Sequence, residues 1–475
     1  MPSTTLNLRP VTPMADSTAL HPAFQRRIVP LMAFTVFFSV LNGTMFNVAV
    51  PDIQQQFGLS PTQVSWVVTG FIVVFALAAV TYGKLADIYP LRRLITIGLL
   101  LFNAGALLGL VFAATSYPVV VAARLIQAAG GGAIPALSLL VATRFFGPQL
   151  RGRMLGTLAS TVAFAAGIGP LVGGLIAGRW HWRYLFLLSL ATLAALWVFR
   201  RVLPRESRRA GSFDLGGGLL LAAAVALVLV MITEGWLVLL PLGLVPLGWF
   251  WYHVRRTPYP FAPPALFAGP LFRNGLLTVF LAVGPVFGMF FAVPLMLRDL
   301  YGLSTLHIGL VIFPGAVSAA FFGLLGGRLA DRRGSVFVVQ TGLALLLASF
   351  VALALAAGAV TLLVSLVLIV CYTGFAFIQS ALAKAISTTL APPHAGVGMG
   401  LYNLVFFTAG AFGAALAGRF IEVMMDLGVP APVADQALPY AGVFVLAALT
   451  ILLAGWVFQR AYRHQGGPDR DRFGS

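Results

Sequence analysis

Gly83-Lys84-Leu85-Ala86-Asp87-Ile88-Tyr89-Pro90-Leu91-Arg92-Arg93 is a short charged stretch between two long apolar runs. The pattern returns as Gly327-Arg328-Leu329-Ala330-Asp331-Arg332-Arg333-Gly334. In both copies a glycine stands four residues before an aspartate, and paired arginines follow. A carboxylate flanked by cations between hydrocarbon-length segments fits a charge latch at a membrane face. Its recurrence fits two related halves. Gly83, Asp87, Arg92, Arg93, Gly327, Asp331, Arg332 and Arg333 are the latch candidates, with each aspartate expected to pair with its nearby arginines or accept from a helix N-terminus.

The runs around these stretches decide the class. Of 475 residues, 60% are hydrophobic and 9% charged, where soluble domains carry about 25% charged residues. Apolar runs of bilayer length recur along the chain, so the fold is an all-α integral membrane protein. A membrane β-barrel would show short alternating segments instead. The net charge of +17 does not point to nucleic acid, because the arginines gather in the connections between spans. The single cysteine, Cys371, lies in an apolar run, which rules out a disulfide framework or a cysteine metal site. No metal or cofactor is expected.

Spans are expected at about 28–50, 62–82, 94–114, 117–143, 153–177 and 184–202. The apolar block 215–254 is too long for one crossing of a core about 30 Å thick, so it divides at Glu234-Gly235-Trp236 into two spans. Six more follow at about 272–297, 306–326, 336–357, 361–384, 396–421 and 440–459. The total is 14 transmembrane helices in a 6+2+6 order, with both termini cytoplasmic; twelve spans is the alternative. The charge distribution favours fourteen: of the 30 basic residues, only Arg179, Arg183, Arg298 and Arg419 then fall outside and only Arg124 within a span. The expected organisation is a disordered cytoplasmic tail (1–25), a six-helix bundle (26–203), two inserted helices with linkers (204–270), a second six-helix bundle (271–460) and a cytoplasmic tail (461–475).

Arg124 is the sharpest single residue. A guanidinium within a span should face a water-filled cavity or a partner. Gln127 one turn on and Asp52 at the outer end of span 1 are candidate partners. Lys384, near the inner end of span 12, either faces the cavity or reaches the interface. Asn42, Asn47, Asn103, Gln127, Gln340, Gln379, Tyr402 and Asn403 could line a cavity, with Phe46, Trp66, Phe287, Phe290, Phe406 and Phe407. In span 5, Gly169, Gly173 and Gly174 form a small-residue face for close helix approach, and Pro170 permits a bend. The 13 acidic residues all map to connections, tails or span ends. The glycines at 130–132 lie inside a helix and no phosphate-binding loop is present, so no ATP-driven pump or other enzyme is expected.

These motifs together resemble the major facilitator superfamily, specifically its fourteen-helix drug:proton antiporters. The charged stretch is similar to the signature G-x-L-A-D-r-x-G-r-r, with Pro90 where glycine is usual. Arg124-Leu125-Ile126-Gln127-Ala128-Ala129-Gly130 is close to R-x-x-Q-G-x-G, with Ala128 for the first glycine. Gly167-Ile168-Gly169-Pro170-Leu171-Val172-Gly173-Gly174 matches the antiporter signature G-x-G-P-x-x-G-G. His181-Trp182-Arg183-Tyr184-Leu185-Phe186 resembles the motif entering span 6. Phe37-Phe38-Ser39-Val40-Leu41-Asn42, Phe213-Asp214 and Leu303-Ser304-Thr305 with Phe313-Pro314-Gly315 look most like the Gram-positive tetracycline pumps.

The resemblance implies a proton-coupled, alternating-access multidrug efflux antiporter of the cell inner membrane, exporting a small amphipathic drug or antibiotic. It also implies a monomer. Proton antiport usually employs a buried carboxylate. Here Asn42 stands where many relatives carry aspartate, and Ala166 and Ala409 stand where the tetracycline pumps carry glutamates. If Arg124 and Lys384 both face the cavity, the alternative is export of an anionic or zwitterionic metabolite, metallophore-like, with atypical or no proton coupling.

Overall fold

The computed structural model describes residues 22–146, 148–204, 206, 214–236, 240–257, 260, 262–390, 395–427 and 436–462. Among them the ordered secondary structure is helical, without strands. The expected tails lie outside the described residues for the most part, but the first helix already begins at Pro22. Helix α1 (Pro22–Met45) continues through a tight turn into α2 (Val50–Phe57). The sequence reading places only a short connection here, between spans at about 28–50 and 62–82. Proline is tolerated in a helix's first turn, and Gly58 at φ 60° closes the short helix.

α3 (Pro61–Leu85) starts with a capping box: Ser60 accepts from the Gln63 backbone and the Gln63 side chain accepts from the Ser60 N–H. α4 (Leu91–Phe112), α5 (Tyr117–Gly131), α6 (Ala133–Phe145), α7 (Pro148–Arg179), α8 (Leu185–Leu190) and α9 (Thr192–Val202) complete the first half. α5 with α6, and α8 with α9, each make one crossing. α10 (Leu215–Thr233) and α11 (Leu240–Arg256) form a hairpin, with Gly235 at φ 75° in its turn. They run antiparallel: Gly243 meets Val228 and Met231, and Gly216 meets His253. α12 (Pro270–Tyr301), α13 (Thr305–Arg333), α14 (Ser335–Ala356), α15 (Thr361–Ser387), α16 (Ala395–Asp426) and α17 (Leu438–Tyr462) form the second half.

Among the described residues, thirteen segments are long and apolar enough to cross a membrane. The fourteenth, α11, has 17 residues and spans about 25 Å at 1.5 Å per residue, close to the hydrocarbon thickness of about 30 Å. The first half packs α1 on α7 and α4 on α5, and the second packs α12 on α16 and α13 on α15. Two long helix pairs join the halves, α7 with α13 and α3 with α16; the short α2 also packs on α12, and α10 touches both α3 and α16.

α3 and α13 fix the direction of the molecule. Each starts beside Asp52: α3 follows α2 in the chain, and Thr305 at the head of α13 donates to Asp52. Each then ends at a copy of the charged stretch, so Asp87 and Asp331 lie at the same end. The two copies turn differently. α13 stays helical through Asp331 to Arg333 and stops at Gly334, whose φ is 86°. In the first copy α3 ends at Leu85, and Pro90, with φ −58°, starts α4. Proline cannot adopt the positive φ of Gly334, so the chain makes an extra turn over Ala86–Ile88 instead. The second copy, expected as a loop, is therefore mostly the last two turns of a helix.

Candidate functional site

Arg124 is buried, with 1% of its surface exposed. Its Nη1 donates to Asn42 Oδ1 at 2.6 Å and Gln127 Oε1 at 3.0 Å, and its Nε to the Val67 carbonyl at 3.3 Å. Its charge lies over the faces of Phe46 and Phe71, 4.1 and 3.8 Å from the ring centres. Asn42 Nδ2 and Gln127 Nε2 both donate to Ser189 Oγ, at 2.8 and 2.9 Å. The guanidinium thus has three acceptors and two ring faces within the first half. α5 reaches this depth because α4 and α5 approach backbone to backbone: a Cβ on Gly130 would lie 2.1 Å from Phe102 N.

The structure brings Arg124, Gln127 and Asn42 together and leaves Asp52 elsewhere. Asp52 sits in α2, which packs on α12 rather than α5. Its oxygens accept from Arg298 at 2.5 Å and from Thr305 at 2.5 Å. A second link across the halves lies nearby: Thr62 donates to Glu422, which also accepts from Arg419 at 3.1 Å. Asn47, in the turn between α1 and α2, keeps a buried Oδ1 without a hydrogen-bond partner. The His181 motif also belongs to this end. Burial, and then the Arg183 charge, push the His181 ring below its ordinary pKa. As an acceptor it takes the Arg183 N–H, while Trp182 donates to Gln56 of α2.

At the opposite end the latch aspartates do not pair with the adjacent arginines. Asp87 takes Arg144 from the end of α6 at 3.4 Å, and Asp331 takes Lys384 from the last turn of α15 at 2.5 Å. The two cations occupy equivalent places in the two halves. Arg93 lies over the Tyr89 ring and Arg333 over Phe337. Lys384 is thus bound to Asp331 at the end of α15, with its side chain partly exposed. Both aspartates are largely exposed, 76% and 70%, and exposed ion pairs contribute little. Asp331→Asn is expected to change unfolding free energy by less than about 1 kcal/mol, read by thermal unfolding in detergent. A larger loss would show that the pair is shielded from water.

The span 5 glycines serve two faces rather than one. Gly169 and Gly173 lie against Thr44 and Met45 of α1, whereas Gly167 and Gly174 lie against Ala316 and Gly309 of α13. Pro170 falls between them inside α7. The reason is angular: Gly169 and Gly173 are one turn apart on one side of the helix, and Gly167 and Gly174, two turns apart, are on another.

Between the two ends runs a chain of rings. Phe71 and Phe75 of α3 are 5.7 Å apart, and Phe75 meets Phe407 of α16 across the halves at 5.5 Å. Phe407 contacts Phe406, which meets Phe375 and Phe287; Phe287 meets Phe290, and Phe290 meets Tyr372. Of these rings, Phe287, Phe290, Phe406 and Phe407 were expected from the sequence, but Phe71, Phe75, Tyr372 and Phe375 were not. Gln379 and Asn403 are both exposed, one turn beyond Phe375 and Phe407 toward the Asp87 end. Separately, Phe34, Phe37 and Phe164 with Thr157, Ser160 and Thr161 line an open groove of about 770 Å³ between α1 and α7. These rings of the Phe75–Phe407 chain pack on one another across the halves, and the carboxylates among the described residues stand at helix ends.

Among the described residues, the hydrogen bonds, ring contacts and glycine contacts that cross the halves fall between the Asp52 end and the level of Phe75–Phe407. Toward Asp87 there is open space beside three glycines: an added Cβ would meet nothing within 4 Å at Gly83, Gly327 or Gly400. The family model described as Major Facilitator Superfamily matches residues 32–414.

The chain belongs to the major facilitator superfamily. Its superfamily relatives include the multidrug resistance protein Stp of Mycobacterium tuberculosis, 28% identical over 85% of this chain and 78% of the relative. The drug efflux pump JefA of the same organism is 28% identical over 87% and 83%. The riboflavin transporter RibZ of Clostridioides difficile is 26% identical over 69% and 73%. Among solved structures, a bacterial homologue of the lysosomal transporter Spinster, inward-facing and unoccupied, has a TM-score of 0.69 at 15% identity, covering 93% of this chain and 98% of that one. The human organic anion transporter MFSD10 gives 0.63 at 17% identity, covering 92% and 99%. These structures establish the superfamily fold. The protein is therefore a multi-pass cell-membrane transporter and not an enzyme.

Proposed function

We propose that this protein is a secondary active exporter of small amphipathic molecules, working by alternating access and driven by inward proton flow. The observation that carries the reading is the cluster of rings joining the halves through Phe75 and Phe407, a layer that would line the path when the halves separate. It suits neutral, zwitterionic or cationic molecules with an aromatic part, since ring faces also attract cations. The names of Stp and JefA as multidrug and drug efflux proteins agree with this reading. In the proposed topology the Asp87 end is cytoplasmic, as the basic residues suggest, so the structure is the inward-open state. The protein acts as a monomer. The carboxylates that exchange partners as the halves rock are Asp52 and Glu422, which hold links across the halves here and lose them in the other state. These two are assigned to proton binding.

The anionic-metabolite alternative rested on Arg124 and Lys384 facing the cavity. Arg124 is enclosed and Lys384 is bound to Asp331, so that reading loses its support.

Counterflow in proteoliposomes is the test, with tetracycline, a lipophilic aromatic cation and an acidic metabolite, each with and without a pH gradient. Exchange of the first two, accelerated by the gradient, is expected. Preferential exchange of the acidic compound would overturn the substrate class, and indifference to the gradient would overturn proton drive. Phe290→Ala and Phe406→Ala are each expected to weaken apparent affinity for the aromatic cation by roughly tenfold, the scale of losing one desolvated ring contact.

A further inference from the structure

The inserted hairpin touches both halves, and its two ends make different attachments. At the Asp87 end it is fixed to the first half. Asp214 caps α10 through the Gly217 N–H and binds His253 Nε2 at 2.8 Å, tying α10 to α11. Lys84 Nζ at the end of α3 donates to the Pro260 carbonyl in the following linker at 3.2 Å. At the Asp52 end the hairpin's turn reaches the second half. Gly235 lies against the Arg419 guanidinium so closely that a Cβ would fall 2.4 Å from Arg419 Nη2 and 2.9 Å from its Cζ.

Arg419 is in turn the partner of Glu422, and Glu422 accepts from Thr62 at the head of α3. Beside this link Gly418 packs on Pro61 and Ser65, with its Cβ position 3.1 Å from the Pro61 carbonyl. The order of contacts is hairpin turn, Arg419, Glu422, Thr62. Each step leaves the next side chain less freedom. A long guanidinium without a backing surface would sample several rotamers.

We infer that the α10–α11 hairpin is a strut for the Asp52-end gate, and that Gly235 is a positioning residue acting through Arg419 on the Glu422–Thr62 link. Glycine meets two demands at this position. Its φ of 75° is one that other residues adopt with strain, and its missing side chain leaves the space the guanidinium fills. A side chain there pushes Arg419 off Glu422 and shifts the two-state equilibrium toward the conformer open at the Asp52 end. The inference rests on the rocking motion proposed above, but its test involves no substrate.

The sole cysteine, Cys371, is buried and is replaced by alanine. Ser65→Cys then reports on the gate, because Ser65 is fully buried against the Gly418 contact. The maleimide labelling rate is measured on purified full-length protein in detergent. Gly235→Ala and Glu422→Gln are each expected to raise that rate by roughly tenfold, the effect of a tenfold shift in the open population. Gly248→Ala, at a site in α11 with open space around it, is expected to leave it unchanged. In an Arg419→Ala background, Gly235→Ala is expected to add less than about twofold, since backbone strain alone would act in both backgrounds. Labelling of the reporter that Gly235→Ala leaves unchanged, or raises equally without Arg419, would overturn the inference alone. A reporter silent in the parent and every variant would overturn the rocking motion with it. Glu422→Gln keeps its side chain's shape, so the test survives if the Gly235 variant does not fold.

Discussion

Arg124→Ala is expected to lower the stability of the protein by at least about 3 kcal/mol, because two buried acceptors lose their donor at roughly 1–3 kcal/mol each and two ring faces lose their cation. The stranded groups are Asn42 Oδ1 and Gln127 Oε1. Phe46 and Phe71 would also face a void. The measurement is thermal unfolding in detergent, with aggregation followed in parallel. Arg124→Lys should recover part of the loss, since one ammonium cannot reach Val67, Asn42 and Gln127 together with the guanidinium's geometry. A buried charge also costs desolvation, so an apolar replacement of the whole network can restore stability. Arg124→Met with Asn42→Leu and Gln127→Leu is therefore expected to unfold near the parent's temperature. Its transport separates two roles. Export that returns with stability would make Arg124 a pin within the first half. Export that stays lost would give the charge a part in the cycle. An Arg124→Ala protein as stable as the parent would remove the network from any account of the fold.

Much of the architecture was legible because hydrocarbon thickness imposes a length on every span. The split at Glu234-Gly235-Trp236 could be read from length alone, and the hairpin turn falls there. The repeat of the Asp87 stretch at Asp331 revealed the two halves. Partners were harder to read. Sequence proximity suggested Arg92, Arg93, Arg332 and Arg333 for the aspartates, yet Arg144 and Lys384 hold them from another helix. The signal was present, since both cations end the fourth helix of their half, but it becomes visible only when the halves are superposed in sequence. Asp52 illustrates a different failure. Depth in the membrane gave Arg124 as a partner, while the side of the helix, set by the unforeseen α2, gave Arg298. Ser189 had no signal at all: one serine in an apolar span becomes the junction of Asn42 and Gln127 only through folding.

Gly327→Leu is expected to abolish export while leaving stability nearly unchanged, and Gly83→Leu to do the same. The argument comes from helix geometry. Eighteen residues make five full turns, so Gly83 lies on the same side of α3 as Ser65, and Gly400 on the same side of α16 as Gly418. Ser65 and Gly418 are in contact at the Asp52 end, whereas Gly83 and Gly400 have open space. The other seam repeats the arrangement. Gly167 touches Ala316 and Gly174 touches Gly309, while Ser160 and Gly323 continue the same two faces at intervals of seven toward the Asp87 end. Gly327 follows one turn later, again with nothing within 4 Å. Small residues with room around them have no packing role in this conformer. They do in one where the halves close at the Asp87 end and these faces meet. A leucine there fits the present structure and obstructs the other, so export should fall by tenfold or more, about 1.4 kcal/mol or more of added cost in the closed conformer. Gly174→Leu is the contrasting variant. It would overlap Thr305 and Leu306 in the seam already closed, and is expected to destabilise this conformer by about 1–3 kcal/mol. Transport in proteoliposomes together with thermal unfolding distinguishes the two classes. Full export by Gly327→Leu and Gly83→Leu would mean that the faces do not meet, and that the halves move by some other path than rocking about the Gly167–Ala316 and Phe75–Phe407 contacts.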